Sequence, residues 1–241
     1  MRWGDRMPEP QVVMLSFWRD DSARRLEERA AHLLAKTYPA LRYVWVVGDS
    51  DDDTAARLAR VVQASARDVT LLTIRTYIPD RFERLSETAN VGLDCVNAAD
   101  AYVVIHESDI VSPPDVVERL VAHAQAGRCP IGAWPVLTIP GHATLFYDIW
   151  AVHKDGQNFA NYPPYHPAYV PDRAFEVDGL GTLWLMDAAD IRRGVRAYRA
   201  AARELCAALK ARGRRLWIDP TLAVEQPFDL WHFHNTETAP S

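Results

Sequence analysis

The chain has 241 residues, 49% of them apolar, with 27 basic against 32 acidic side chains and a formal net charge of −5. That length supports one large domain or two small ones with a substantial core, and so small a net charge does not announce a nucleic-acid or membrane partner. Cys95, Cys129 and Cys206 are too scattered for a disulfide framework or a zinc knuckle, which suits a reducing, cytoplasmic setting; no run reaches the ~20 apolar residues of a membrane span, and Met1–Asp5 opens no signal-peptide core.

Residues 1–10, with two prolines and mixed charge, read as a loose arm. Gln11–Phe17 is an unbroken apolar run of the kind that forms a buried parallel strand. Asp21 or Ser22 caps a helix that lines up Leu26, Ala30, Leu33 and Leu34, and Pro39 lies just past its end. Leu41–Val47 forms a second strand. It runs into the acidic turn Gly48–Thr54, which caps a helix carrying Leu58, Val61 and Val62. Val69–Ile74 is a third strand and 81–99 a third helix. The fourth strand, Tyr102–Ile105, ends in His106, Glu107, Ser108 and Asp109; a helix from about Pro113 to Ala126 follows, stopped by Gly127.

Strand alternating with helix predicts a parallel α/β sheet. Neither GxGxxG nor a Walker loop is present. Beyond residue 128 the pattern changes. Ile131–Leu137 suits a strand, 138–175 reads as ordered loop rich in Pro, Tyr, His and Asn, and Phe175–Met186 is apolar again. Ala188–Lys210 reads as one helix, Leu216–Pro220 as a short strand and turn, and 229–241 as a tail. The expected organisation is a single domain over 11–228, with halves 11–127 and 128–228.

Glu107 and Asp109, at i and i+2 at a strand end, share one side. Two carboxylates there suit a divalent cation held against a phosphate-bearing ligand; they suit equally a pair of solvated acids favouring the next helix N-terminus. His106 reads as a hydrogen-bonded core histidine and Cys206 as plain core. Nine basic residues lie between Asp190 and Arg215, and Arg192, Arg196, Arg199 and Arg203 fall three or four apart. On one helix they make a basic stripe, a surface for DNA, a polyanionic glycan or a phospholipid, or else a solvated face.

Four stretches, in order, resemble the GT-A-fold, family-2-type glycosyltransferases that use nucleotide-diphosphate sugars. KTYPALRYVWVVGDSDDDT (36–54) resembles the family's second strand and acidic turn. RFERLSETANVGLDCVNAADAYVVIHESD (81–109) resembles the helix leading into the strand that bears the Asp-x-Asp motif. VDGLGTLWLMDAADI (177–191) resembles its Gly-rich acceptor-side segment, and LCAALKARGRRLWIDPTLAVEQ (205–226) its closing helix and strand. The resemblance implies a central, mostly parallel sheet flanked by helices, with an irregular acceptor-side half. It implies hexose transfer from a nucleotide-diphosphate sugar, UDP-linked by preference, to an acceptor hydroxyl, with Mn²⁺ or Mg²⁺ as cofactor.

Residue by residue, the resemblance puts the donor at Ser16, Trp18, Arg19, Asp49, Asn90, Gly92 and Glu107. The metal falls to Asp109 and Glu107, with His232 or His234 as a third ligand. The chain departs from the family at Gly48 where Asp is usual, at Ala201-Ala202 where a Glu-Asp pair often supplies the base, and at Glu225-Gln226 where His is frequent. A base is therefore sought elsewhere: Asp178 first, among glycines that allow close approach, then Glu176, then Asp148. Trp134, Tyr147 and Trp150, with Arg192, Arg196 and Arg199, are candidates for the acceptor side, hydroxymethylated DNA being one acceptor to test. A sugar-phosphate nucleotidyltransferase is the alternative enzyme, although Ser16–Asp20 has no glycine for its usual loop. A non-catalytic nucleotide-sugar-binding relative is the third reading.

Overall fold

Successive residues of the first strand point to opposite faces of the sheet, and both faces are covered. The computed structural model describes residues 8–20, 25–141, 144–158, 170–198 and 202–228. Strand β1 (Gln11–Trp18) buries Val12, Met14 and Trp18 on one side and Val13 and Leu15 on the other. The first side is sealed by α1 (Leu26–Leu34), α2 (Thr54–Ala64) and α4 (Val116–Gln125). The second is sealed by α3 (Arg81–Asp94), α5 (Ala188–Arg192) and α6 (Ala202–Ala211). Helices on both faces leave the central strands no polar side, which explains their continuous apolar runs. Among the described residues no helix is long and apolar enough to cross a membrane.

The remaining strands are β2 (Leu41–Gly48), β3 (Val69–Ile74), β4 (Asp100–His106), β5 (Ile131–Thr138), β6 (Thr144–Phe146), β7 (His153–Lys154), β8 (Gln157–Asn158), β9 (Phe175–Val177), β10 (Leu183–Asp187) and β11 (Leu216–Gln226). The main sheet runs β3-β2-β1-β4-β10-β5-β11-β9. Strands β1 to β4 are parallel, β10 lies antiparallel between β4 and β5, and β11 returns parallel to β5. The expected architecture is therefore present. Strand order reverses between β1 and β4, and the carboxyl ends at such a switch point form a crevice where ligands of open α/β sheets bind.

Several element boundaries differ from expectation: β11 runs on past Pro220 to Gln226 where a short strand and turn was expected, and short strands β6, β7 and β8 fall inside the expected 138–175 loop. Helix α3 stops at Asp94, because 97–100 folds into a polar turn. Asp100 there accepts the Asn97 amide and the Arg42 guanidinium, and Asn97 accepts the Ala99 amide. Helix α4 starts at Val116, after the prolines. Ala188–Lys210 is not one helix: α5 ends at Arg192, a turn through Gly194 at φ +89° follows, and Val195–Tyr198 is non-helical. Asn90 clasps this segment by donating to the Ala197 carbonyl and accepting its amide, both at 2.9 Å. Among the described residues, Arg192, Arg196 and Arg203 therefore do not share one helix as the expected stripe required. Arg192 donates to the Asn97 and Asp100 carbonyls, and Arg196 to Ile191, Val195 and the Asp94 carboxylate. Arg199, the Asp21/Ser22 cap, most of the arm and the 229–241 tail lie outside the described residues.

The Arg42–Asp100 pair is buried, with side-chain exposures of 11% and 0%. Removing one partner strands the other. We expect Asp100→Ala to lower unfolding free energy by about 3–5 kcal/mol in urea titration. Asp94→Ala, breaking an exposed pair with Arg196, should cost under about 1 kcal/mol.

Candidate active site

The crevice edge collects four chain ends. After β1 comes Arg19-Asp20; after β2, the turn Asp49–Asp53; after β3, Arg75-Thr76; after β4, Glu107–Asp109. The first three are tied together. Asp20 donates its amide to Ser50 and accepts that of Asp51. Arg75 pairs with Asp51. Asp49, at φ +51°, accepts the Thr76 amide at 2.8 Å and its hydroxyl at 2.6 Å. Burial raises Asp49, yet these bonds and the charges of Arg84 and Arg19 outweigh it and hold the carboxyl below its ordinary value. Gly48, where the family likeness expects Asp, has its side-chain space filled: an added Cβ would lie 2.6 Å from the Thr88 hydroxyl of α3.

The β4 corner is different in kind. The Glu107 amide donates to the Thr182 carbonyl at 3.0 Å, joining the corner to the start of β10. Thr182, at φ +62°, turns its hydroxyl onto Asp148 at 2.7 Å; the other Asp148 oxygen accepts the Ala151 amide at 3.1 Å. Asp148 thereby faces the corner. Burial, then the Asp109 and Asp148 charges, push Glu107 well above the carboxylate range, with Arg81 pulling the other way. Burial raises Asp148 as well, against the bonds from Thr182 and Ala151. The Tyr147 phenol is pushed up by burial and then by Asp109, Glu107 and Asp148. Glu107, Asp109, Asp148 and the Tyr147 phenol thus act on one another electrostatically, with Arg81 the opposing charge on Glu107 and Tyr147.

The sequence candidates separate on this geometry. Glu107, Asp109 and Tyr147 are together at the corner, joined by Asp148, the third choice for a base. Its signal was the tripeptide Tyr147-Asp148-Ile149 beside the exposed Trp150, which a turn explained as well. Asp178 accepts from Lys210 and from the Asp155 amide, in a surface hollow of about 380 Å³ shared with His153 and Arg203. Glu176 pairs with Arg215. Both carboxyls are held below their usual range, first by those basic partners. The space beside the glycines also goes to protein groups rather than ligand. A Cβ on Gly181 would lie 2.1 Å from the Asp148 carboxylate, and one on Gly179 2.4 Å from His153.

On the donor side Arg19 is half exposed at the crevice, while Ser16 and Trp18 are buried. Trp18 stacks on Trp45 at 5.4 Å in the core. Asn90 is spent on Ala197, and Gly92 lets α3 approach Phe17, 3.3 Å from where a Cβ would stand. On the acceptor side Trp134 packs on Phe146 in the core, centroids 4.5 Å apart, whereas Trp150 is 74% exposed. His232 and His234 lie outside the described residues.

No protein-family model matches this chain, and no curated protein matches it. Solved structures do. S. aureus TarS 1–349 superposes with a TM-score of 0.61 at 12% identity, over 90% of this chain and 60% of that one. The same TarS fragment in complex with UDP-GlcNAc gives 0.63 at 11% identity, over 90% and 58%. This chain has the GT-A fold. It spans about three-fifths of the TarS chains it matches. Within the GT-A fold, the acid corner stands at the carboxyl end of β4, beside the switch point.

Oxygen donors at this corner fit a hard divalent cation. Among the described residues no three His, Cys, Asp or Glu side chains form a complete ligand set, so other ligands would have to come from a bound molecule or water.

The raised carboxyls have a signed consequence. Glu107 titrates higher in the folded chain than unfolded. Its contribution to stability is therefore whole below the unfolded value near 4.3 and is lost as pH rises through the folded one. In metal-free buffer, Glu107→Gln should leave Tm unchanged near pH 4 and raise it at pH 8. Equal shifts at both pH values would refute the crowding.

Proposed function

We propose that the chain is a glycosyltransferase moving a hexose from a nucleotide-diphosphate sugar, UDP-linked by preference, to an acceptor hydroxyl. The observation that carries this reading is the crowded acid corner of Glu107, Asp109 and Asp148 at the switch point of a GT-A fold. The TarS complex with UDP-GlcNAc supports the same donor class.

In this reading the Asp49–Thr76 turn, with Arg19 and Arg84 near, receives the nucleoside. Asp109, with Glu107 beside it, would hold Mn²⁺ or Mg²⁺. When bound, that ion neutralises the leaving diphosphate as a Lewis acid. Arg81 adds positive charge there. Asp148 is held in place by Thr182 and Ala151, and burial raises its proton affinity, which suits a proton acceptor. It accepts the acceptor hydroxyl's proton while Tyr147 and the exposed Trp150 flank the incoming acceptor. The basic partners of Asp178 and Glu176 make those two weaker proton acceptors, and we place the base at Asp148 ahead of them. A polyanionic acceptor such as hydroxymethylated DNA rested on one helix carrying Arg192, Arg196 and Arg203; among the described residues these three do not share a helix, so a neutral hydroxyl acceptor ranks first.

Hydrolysis of a panel of nucleotide sugars with Mn²⁺ tests the reaction class. Turnover should fall about 100-fold or more in Asp109→Ala. With an acceptor in hand, Asp148→Asn should lower kcat by roughly 10²–10⁴-fold and Asp178→Asn by much less; the opposite ranking returns the base to Asp178. No turnover of any donor, with unchanged donor binding in Asp109→Ala, defeats the proposal. Transfer to hydroxymethylated duplex DNA but to no neutral glycan would reverse the order of acceptors.

A further inference from the structure

Under the acid corner lies a second group of charged side chains that the proposed chemistry leaves unused. Arg29 of α1 is 7% exposed, and Lys36, just past the end of that helix, is 0% exposed. Arg29 donates to the Ser108 carbonyl and to its hydroxyl, both at 2.9 Å, and its guanidinium stands 5.1 Å from the Trp18 ring centroid. Lys36 donates to the Ser112 carbonyl at 3.0 Å and approaches His32 Nε2 at 3.0 Å.

Two histidines complete the floor, and their protons can be placed. His32 Nε2 accepts the Ser112 amide at 2.9 Å, so His32 is neutral with its proton on Nδ1. His106 Nδ1 is 2.8 Å from the Glu107 carbonyl, which can only accept, so Nδ1 is the donor there. Burial is the first cause that pushes His32 down to about 4 and His106 to about 3, in keeping with neutral rings. Neutral His106 then takes the Ser112 hydroxyl on Nε2 at 2.8 Å. Glu107, Ser108 and Ser112 are thus gripped from below, and Asp109 sits between gripped neighbours.

A fully buried ammonium is costly to keep, and an apolar side chain of similar length would be cheaper. Glu118 does not offset it by direct pairing. One Glu118 oxygen takes the Thr37 hydroxyl at 2.6 Å, and the other has no hydrogen-bond partner. The two cations instead bond the loop that carries the acids.

We propose that Arg29 and Lys36 form a cationic floor that positions the Glu107–Asp109 loop for its divalent cation and diphosphate. The inference rests on the donor-site reading above. Both are positioning residues, since they act through Ser108 and Ser112 and not on the ligand. Groups that orient metal ligands from behind typically change metal affinity 10–100-fold when removed.

The test uses the whole chain and two probes, Mn²⁺ and UDP, in calorimetric titrations alongside thermal unfolding. Lys36→Met keeps the length and removes the charge. It should fold with an equal or higher Tm, yet bind Mn²⁺ with UDP about 10-fold more weakly. Arg29→Lys keeps the charge and loses the fork; it should weaken binding several-fold with Tm nearly unchanged, and so covers a Lys36 variant that fails to fold. Folded variants that bind both probes as wild type does would overturn the floor and leave the donor site standing. Wild-type protein that binds neither probe would overturn both.

Discussion

Repulsion at the end of β4 is the constraint that the surrounding structure answers. Glu107, Asp109 and Asp148 crowd together in a partly desolvated pocket, and a buried or half-buried carboxylate is unfavourable without a compensating partner. A core built for stability alone would not gather them. Several local features exist to keep them in place: the bare α-carbon of Gly181 against which Asp148 packs, the positive φ of Thr182 that aims its hydroxyl, and the backbone bond from Glu107 to Thr182. All three meet at the 181–182 turn that leads into β10, which bonds Glu107 after β4 and Asp148 after β6, so the corner's charge is a property of the tertiary fold.

The two sides of the sheet contribute differently. On the α1 side, buried Arg29, Lys36 and His106 and the half-buried His32 bond backbone and hydroxyl groups of the corner from below. On the α3 side, packing governs: Gly92 and Thr88 let the helix sit close, and Asn90 holds the interrupted segment after α5. The crevice lies between a floor fixed by hydrogen bonds and a wall fixed by shape. The candidate site residues Asp49, Glu107, Asp109 and Asp148 lie on connections at strand ends, where a rigid scaffold commonly presents chemistry.

Most of the scaffold was legible in the sequence because strand-helix alternation over the first 127 residues is strongly periodic, and β3 falls at Val69–Ile74 as expected. The place of Glu107–Asp109 just past the fourth strand was legible too, but β4 ends at His106 and the two acids lie in a turn, so the strand period of two that put them on one side does not apply. What sequence could not separate was a residue beside the pocket from one beneath it. Trp18, Asn90 and Gly92 follow the likeness in position, but Trp18 belongs to the core and Asn90 to a backbone clasp. Asp148 gave only a turn-like signal, because its neighbours Gly181 and Thr182 arrive from more than thirty residues away. The basic stripe was misread because spacing by threes and fours implies one helix only where nothing interrupts it, and Gly194 does.

The antiparallel entry of β10 has a consequence for the order of assembly. β4 must leave room on its free edge until β10, much later in the chain, slides between it and β5. Thr182, Gly181 and hence the seat of Asp148 come with β10. Contacts that close long stretches of chain form late and slowly. The parallel half can therefore consolidate while its acid corner still faces water, fully hydrated. Insertion of β10 is what brings Asp148 against Glu107 and Asp109, so that part of the electrostatic work belongs to a long-range contact and not to the parallel half.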